Sequence, residues 1–319
     1  MNTITTPVVL IIFKREQYAR EVFKAIRKAQ PKQLFVIADG GRTPEEWELC
    51  NKTRDIIKEI DWPCDVRTNF AETNMRTKAR IKSGLDWVFS QVDRAIILED
   101  DCVPDQSFFG FCEAMLERYC DDERIAMITG DQPVRAWKSN TSYFFSRYFA
   151  IWGWATWRRA WKRYDADMSN WPMHRRKKDL LKELGHRGAA QNMTDLFDKE
   201  FFGKINSWAT RWFSGCFWSG GLSIVPAVNL VSNIGVEGVH SSPGINNNVP
   251  LASLDMNNLI HPKEIVWDTA YDHSFFDQSF PWRPLPDPRR LILQGLVRIK
   301  HVLERIPLLR RLISVINHK

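Results

Sequence analysis

Short apolar runs alternate with helical patterns over the first 130 residues. The runs Val8–Phe13, Leu34–Ala38 and Ala95–Leu98 are apolar and contain β-branched residues, as strands buried on both faces do. Helical spacing of apolar residues follows the first of them over Glu16–Ala29. Because strands that alternate with helices form a parallel sheet covered on both faces, the sequence predicts an α/β fold of the kind that binds nucleotides. The alternation continues through strands at Cys64–Thr68 and Ile125–Thr129 and helices at Pro44–Ile60, Thr77–Phe89 and Gln106–Tyr119.

The excess of positive charge is concentrated at one end of the chain. Lys plus Arg number 45 and Asp plus Glu number 38, which gives a formal net charge of +7. Residues 289–319 hold eight Lys or Arg and one Glu, so the 37 basic and 37 acidic side chains of residues 1–288 balance. A nucleic-acid-binding protein usually carries its basic charge on the folded body, so no nucleic-acid partner is expected.

The basic end follows a proline-rich segment, residues 281–288, whose four prolines predict a stiff linker. Basic and apolar residues then interleave over residues 289–319, which is the pattern of amphipathic helices on an anionic membrane surface. A terminal helix packed on the folded body is the alternative. Six cysteines without a CxxC pair indicate free thiols in a reducing compartment. We therefore expect a cytoplasmic protein whose tail holds it peripherally on the inner face of the membrane.

The predicted strand Ala95–Leu98 runs into three consecutive acids, Glu99, Asp100 and Asp101. In open parallel sheets, ligands bind beyond the carboxyl ends of the strands. Three carboxylates placed there repel one another unless a positive group lies among them, and a hard divalent cation suits such oxygen ligands. The triplet therefore predicts a Mn²⁺ or Mg²⁺ site. The alternative is a solvated loop whose acids cap the next helix.

Several motifs recur in the order in which a known family has them. Over residues 7–245 the sequence resembles the GT-A glycosyltransferases, above all the family 2-like transferases of bacterial surface-glycan loci. A more distant similarity is to N-acetylglucosaminyltransferase I, which starts complex N-glycans. The motifs are Phe13-Lys14-Arg15, Ala38-Asp39-Gly40, the basic segment 76–87, the acidic triplet with residues 102–105 and Phe108-Phe109 after it, the Gly-Trp segment 151–161, and the segments 207–212 and 229–235.

The resemblance implies a Rossmann-like GT-A fold for nucleotide-diphospho-sugar transfer, with a mixed central sheet and flanking helices. Residues 1–280 are expected to form the catalytic domain. Within it, a nucleotide-binding half is expected over residues 1–130 and an acceptor half over residues 131–280.

The resemblance also assigns nucleotide-binding roles. Arg15 and Asp39 inherit contacts with the base and ribose by position, and Asp100 joins them. A basic helix start ahead of the metal strand is expected to place Lys78 and Arg80 at the diphosphate, because helix N-termini and cations both attract anions. The alternatives are a surface helix-start residue for Arg15, a turn former for Asp39, and a solvated basic face for the other two.

For the cation, the resemblance implies that Asp101 is the chief ligand, with Glu99 nearby. His240 corresponds to a late histidine that several GT-A enzymes bring toward the metal or the diphosphate. A lone histidine is more often structural, and that alternative stays open for His240.

Aromatic residues flank a glycine at Trp152-Gly153-Trp154, and a second tryptophan-rich segment contains Trp208. Family members use similar Gly-Trp segments to line the donor-sugar and acceptor site. A flat ring suits the C–H face of a sugar, and glycine permits close approach of the backbone. These four residues are therefore expected to contact the sugar or the acceptor.

The general base is harder to assign. Some family members have an acid in the segment that follows Trp208, where this chain has Ala209 and Thr210. Neither side chain accepts a proton at neutral pH. Asp131, just past the strand Ile125–Thr129, is the replacement that we predict to deprotonate the acceptor. Further candidates are Asp195, Asp198 and Glu237.

These observations predict a metal-dependent glycosyltransferase that moves a hexosyl or N-acetylhexosaminyl group. The expected donor is a nucleoside diphosphate sugar, specifically a UDP-sugar, and the expected acceptor is a hydroxyl of a glycan or lipid-linked molecule. The resemblance favours inversion and a place in surface polysaccharide or glycan biosynthesis. One alternative is a nucleotidyltransferase, which the lack of a glycine-rich loop after the first strand disfavours. The other is a non-catalytic glycan-binding or membrane adaptor on a degenerate transferase fold.

Overall fold

A computed structural model describes residues 3–175, 177–235 and 249–279. Its strands are β1 (Val8–Ile12), β2 (Gln33–Ala38), β3 (Asp65–Phe70), β4 (Arg94–Glu99), β5 (Cys102–Pro104), β6 (Ile125–Thr129), β7 (Tyr143–Ser146), β8 (Trp154–Trp157), β9 (Leu222–Pro226) and β10 (Val231–Asn233). Its helices are α1 (Glu16–Ala29), α2 (Pro44–Arg54), α3 (Arg76–Phe89), α4 (Gln106–Arg118), α5 (Arg158–Trp161), α6 (Trp171–His174), α7 (Lys177–Leu184), α8 (Arg187–Phe201), α9 (Trp208–Trp218) and α10 (Thr269–Ser279). The predicted linker 281–288 and basic tail 289–319 lie outside the described residues. Of the helices that the structure describes, none is both long and apolar enough to cross a membrane.

Eight strands form the central sheet, in the order β3-β2-β1-β4-β8-β6-β9-β7. Strands β1 to β4 are mutually parallel, and β6 pairs with β9 in parallel. Strand β8 is antiparallel to both β4 and β6, and β7 is antiparallel to β9. The predicted α/β class, with a mixed central sheet and flanking helices, is confirmed. The alternation of strands and helices does not by itself predict β8, which enters the sheet from the aromatic segment later in the chain.

The central strands β1, β4 and β6 consist mainly of buried apolar residues, with polar residues only at strand ends such as Thr129. Every residue of β1 and of β6 is buried, as their apolar sequences predict. Helix α1 covers the sheet with one apolar face that includes Val22, Phe23 and Ile26. The predicted helix Pro44–Ile60 is shorter than expected, since the α-helix ends at Arg54 and a 3₁₀ turn, Asp55–Glu59, buries Ile56.

The carboxyl ends of four strands lie along one edge of the sheet, the edge at right angles to the strands. Strands β1, β2, β4 and β6 point the same way, so the residues that follow them share this edge. Strand β10 pairs with β5 in a separate two-stranded sheet, with Asn233 opposite Cys102. This pairing brings the chain from Asn233 to Gly235 alongside the acidic triplet.

Candidate active site

The acidic triplet lies at the carboxyl end of β4, where Glu99 is level with Ile11 of β1. Asp100 is 4% exposed, whereas Glu99 and Asp101 are partly exposed. Burial and the charges of Asp101 and Asp100 raise the pKa of Glu99 to about 8. Burial also raises the pKa of Asp100 to about 6, and Arg15 opposes that rise. The triplet therefore combines strong mutual repulsion with one nearby positive group.

Arg15 is that positive group, and it stands between β1 and the first residue of α1. Its guanidinium donates to both oxygens of Asp100, through Nε at 3.4 Å and through Nη2. Nη2 also lies 2.8 Å from Oδ2 of Asp101. The sequence predicts a nucleotide contact for Arg15, and the structure places it against two of the acids instead of alone at the surface. Arg15 is thus an internal cation for the triplet.

Three consecutive residues that received no separate role from the sequence complete the surroundings of Asp101. Asn233 Nδ2 lies 3.4 Å from Asp101 Oδ1, and the Ile234 N–H donates to the Asp101 carbonyl at 2.8 Å. At Gly235 an added Cβ would come to 3.0 Å from the Asp101 carboxyl carbon. The segment 229–235 is one of the motifs that carry the family resemblance. Its contact with Asp101 joins residues more than a hundred positions apart, so local sequence patterns do not predict it.

The side chains at this site can be compared with the ligands that the predicted Mn²⁺ or Mg²⁺ requires. Among the described residues there is no group of three or more His, Cys, Asp or Glu side chains arranged to hold a metal ion. Such ions are often held by one or two carboxylates together with substrate phosphates. Asp101 and Glu99 supply hard oxygen atoms of that kind, so the residues fit a cation that a diphosphate helps to hold. His240 and Glu237 lie outside the described residues.

Asp39 anchors a loop at the end of β2. It is 6% exposed, and its carboxylate accepts hydrogen bonds from Gly40 N at 2.9 Å, Met75 N at 2.8 Å and Asn74 Nδ2 at 3.2 Å. An added Cβ at Gly40 would lie 2.6 Å from the backbone of Thr73. Asp39 therefore ties the chain before α3 to the sheet, in agreement with the turn-forming alternative for this residue.

The two basic residues expected at the diphosphate have different surroundings. Arg80 is 4% exposed and donates to the Asn69 carbonyl at 2.7 Å and to Ser83 Oγ at 3.1 Å. Lys78 is partly exposed, with Nζ 3.5 Å from Oε1 of Glu200. Arg80 thus joins α3 to the end of β3, while Lys78 remains near the surface at the start of the helix.

Glu200 is a charged group of this region that the sequence did not reveal. Its side chain is fully buried at the end of α8. It accepts hydrogen bonds from Arg211 Nε at 2.5 Å and from Ser207 N at 2.7 Å, besides its ion pair with Lys78. Because it links α8 to α9 and α3 only in the folded protein, no sequence spacing signals it.

The four residues predicted to contact sugar divide into two groups. Trp152 is partly exposed, and Gly153 beside it has φ +62°, with an added Cβ only 2.6 Å from Val231. Trp154 is 1% exposed and Trp208 is 5% exposed, and their rings stack at 5.8 Å inside the core. Trp152 and Gly153 therefore lie at the edge of the sheet that also carries the acidic triplet, whereas Trp154 and Trp208 pack in the interior.

Asp131 follows β6 on the same edge as the triplet. It is 7% exposed, and burial raises its pKa to about 8. The preceding Gly130 donates its N–H to the Gly153 carbonyl at 2.7 Å, so Asp131 lies next to the Gly-Trp turn. The other described candidates are on α8, where Asp198 pairs with Arg175 at 2.7 Å and Asp195 accepts from Gln191 at 2.9 Å.

No protein-family model matches the sequence, and no curated protein matches it. Among solved structures, the chain is similar to residues 1–349 of S. aureus TarS, with a TM-score of 0.40 and 10% identity over 71% of this chain. The match spans 59% of the TarS structure, less than two thirds of its length. It is also similar to ligand-free mouse xyloside xylosyltransferase 1, with a TM-score of 0.34 and 9% identity over 66% of this chain and 80% of that one. The second is named as a xylosyltransferase, but with TM-scores below 0.5 neither likeness decides the fold or the activity of this chain.

Proposed function

We propose that this chain is a glycosyltransferase that uses a nucleoside diphosphate sugar, a UDP-sugar in the first instance. The observation that carries the proposal is that Arg15, the acidic triplet and Asp131 all follow strands that end at the same edge of the sheet. Transfer to a hydroxyl requires charged groups for the diphosphate and a base for the hydroxyl proton. The acids at the buried strand end with a cation among them would supply the first, and the carboxyl with a raised pKa would supply the second. The transferred group is proposed to be a hexosyl or N-acetylhexosaminyl unit, with inversion at the anomeric carbon.

The diphosphate end of the site is proposed to lie between the triplet and the start of α3. Met75 offers no side-chain cap to α3, so the first N–H groups of the helix are left for an anion. Lys78 adds a positive charge within the first turn of the helix, and Arg15 adds another beside the triplet. Asp101 and Glu99 would hold Mn²⁺ or Mg²⁺, which when bound supplies positive charge to the leaving diphosphate.

Asp131 is proposed to remove the proton from the acceptor hydroxyl. A base must be deprotonated to act, and a pKa of about 8 makes the Asp131 carboxylate a stronger base than an ordinary aspartate. Trp152, beside Gly153 and Gly130, would give the acceptor sugar a partly exposed ring at the same edge. The acceptor is proposed to be a glycan or a lipid-linked molecule in surface-glycan synthesis, reached from the inner face of the membrane.

A non-catalytic adaptor is the second candidate, and one observation favours it. Arg15 already places one positive charge against Asp100 and Asp101 from within the protein, which reduces the need of the triplet for a metal ion. An adaptor would bind glycan without breaking the donor.

The deciding experiment incubates the full chain with a panel of nucleotide sugars and Mn²⁺ or Mg²⁺, with and without acceptor glycans. Released nucleoside diphosphate supports the glycosyltransferase, and it should disappear on chelation of the metal and in the Asp101→Asn variant. Nucleotidyl transfer is tested in a separate incubation with a nucleoside triphosphate and a sugar 1-phosphate, in which it would release pyrophosphate and form the nucleotide sugar. Glycan binding with neither product would identify the adaptor.

A further inference from the structure

A cavity opens at the opposite edge of the sheet, far from Asp101. Leu222, which begins β9, and Arg124, which precedes β6, contribute to its lining. Because β6 is parallel to β4, these residues lie at the amino ends of the strands. That edge of the sheet is about 17 Å, the length of a five-residue strand, from the edge that carries Asp131. The cavity holds about 450 Å³, within the range of roughly 300–1,000 Å³ that small-molecule sites have.

Aromatic rings form much of the lining, namely those of Phe217, Trp218 and Trp267. The Arg147 guanidinium lies between two of them, 4.1 Å from the Phe217 ring centre and 5.3 Å from that of Trp267. His174 stacks on Trp218, with ring centres 4.0 Å apart and planes 8° apart. Arg147 covers one face of Trp267, and His174 covers one face of Trp218. Both tryptophans nevertheless remain partly exposed, so the uncovered part of each ring is held in place beside the cavity.

Charged groups surround these rings in nearly equal numbers. Arg147 pairs with Glu183 at 2.8 Å, and Arg124 pairs with Asp122 at 2.7 Å. The remaining charged lining residues are Lys182 and Asp179, one of each sign. These described groups offer both hydrogen-bond donors and acceptors. Their charges balance once Asp122, which pairs with Arg124 from outside the lining, is included, so they do not favour a phosphate or a cation.

Fixed aromatic faces together with balanced donors and acceptors are the chemistry that recognises a sugar. The C–H face of a pyranose packs on a flat ring, and its hydroxyl groups both donate and accept hydrogen bonds. We propose that this cavity is a second carbohydrate site, distinct from the transfer site, that binds an uncharged pyranose unit. The inference does not depend on the proposed transfer activity, since a chain that transfers nothing would still bind sugar here.

The test is a titration of the full chain with methyl glucoside, methyl galactoside, N-acetylglucosamine and chitotriose, followed by saturation-transfer NMR and by tryptophan fluorescence. At least one of these sugars should bind saturably in the millimolar range or tighter. Trp218→Ala should weaken that binding about tenfold, the effect of losing one aromatic contact. The double variant Asp179→Asn with Lys182→Ala changes two charged lining residues, so it tests the site without removing a packed ring.

Controls separate this site from the transfer site. Asp101→Asn should leave the binding unchanged, and so should Glu21→Gln, an exposed acid on α1. The proposal fails if none of the four sugars binds saturably, or if the cavity variants leave binding intact while Asp101→Asn removes it. Binding of inorganic phosphate in place of sugar at this cavity would also overturn it.

Discussion

Nη2 of Arg15 lies 2.8 Å from Oδ2 of Asp101 while the same guanidinium bonds Asp100. The two acids and the arginine come from the ends of neighbouring parallel strands, β4 and β1, so the contact depends on the sheet itself. It removes much of the repulsion within the triplet before any ligand arrives. A cation that binds Asp101 must therefore share that carboxylate with Arg15 or move the guanidinium toward a diphosphate.

Replacing Arg15 by Gln should destabilise the protein and strengthen its affinity for the free metal ion. Asp100 would remain buried without its partner, and because Arg15 is about a third exposed we expect a loss of about 2 kcal/mol at pH 7. Denaturant unfolding measures the loss. Mn²⁺ titration without nucleotide measures the affinity, which should rise because no guanidinium competes for Asp101.

Arg20→Gln is the matched control, since Arg20 is on the same helix and pairs with Glu16 and Glu59 at the surface. Its change in unfolding free energy should be much smaller than that of Arg15→Gln, because solvent screens surface ion pairs. Equal effects of the two substitutions would mean that the triplet is not electrostatically coupled to Arg15.

Asp101→Asn should abolish metal-dependent binding of a nucleoside diphosphate and reduce turnover about 100-fold or more, because the developing charge loses its cation. Calorimetry with UDP and Mn²⁺ gives the affinity, and diphosphate release gives the turnover. Asp105→Asn is the control, because Asp105 caps α4 through Ser107 N at 2.8 Å and an asparagine keeps that cap. An Asp101→Asn variant that retains both properties would falsify the metal role.

The raised pKa of Asp131 predicts opposite trends in activity and stability with pH. Activity should rise toward a plateau as pH passes about 8, because only the carboxylate accepts a proton. Between its ordinary pKa and about 8, Asp131 is protonated in the folded state and ionised in the unfolded state. The contribution of Asp131 to stability is therefore complete at acidic pH and is lost as pH rises to about 8.

Asp131→Asn isolates both effects. The variant should lose most activity at every pH, and its unfolding free energy should fall less between pH 5 and pH 8 than that of the unchanged protein. Matched pH series of turnover and of denaturant unfolding provide the comparison. A merely structural Asp131 would give the stability difference with the pH–rate profile unaltered.

Glu200→Gln should lower the unfolding free energy by about 3 kcal/mol, because Arg211 and Lys78 would lose their buried counter-charge. Lys78 would also be held less firmly, so the affinity for a nucleoside diphosphate should fall by a smaller factor than in Asp101→Asn. Glu123→Gln is the surface control, because Glu123 is largely exposed where it pairs with Arg163. Stability that responds equally to both substitutions would contradict a special role of Glu200.

The sequence predicts the parts of this site that depend on local pattern. Apolar runs locate β1 and β4, and the ends of those strands locate Arg15 and the triplet. What local pattern cannot give is which way a side chain faces once distant segments meet. Trp154 is buried because β8 inserts antiparallel between β4 and β6, and Asp39 is satisfied by the loop before α3. Glu200 and Asn233 acquire their partners only through such tertiary contacts.

Trp152 and Trp154 flank Gly153, and their truncation should have different effects. Loss of the Trp154 ring should lower stability, whereas loss of the Trp152 ring should weaken acceptor binding. Trp154→Ala removes a ring that packs against Trp208 at 5.8 Å and Trp212 at 5.7 Å, so the unfolding free energy should fall by about 3–5 kcal/mol. Trp152→Ala removes a partly exposed ring, so stability should change by about 1 kcal/mol or less while the KM for the acceptor rises.

Thermal unfolding and acceptor-dependent kinetics on the two variants give both readouts. Trp152→Phe serves as the conservative variant, since a smaller ring keeps a flat face for the sugar and should restore much of the acceptor affinity. If Trp152→Ala leaves the KM for the acceptor unaltered, the partly exposed ring has no part in binding. Acceptor recognition at this edge would then rest on the backbone around Gly153, where φ +62° and the contact with Val231 exclude any larger residue.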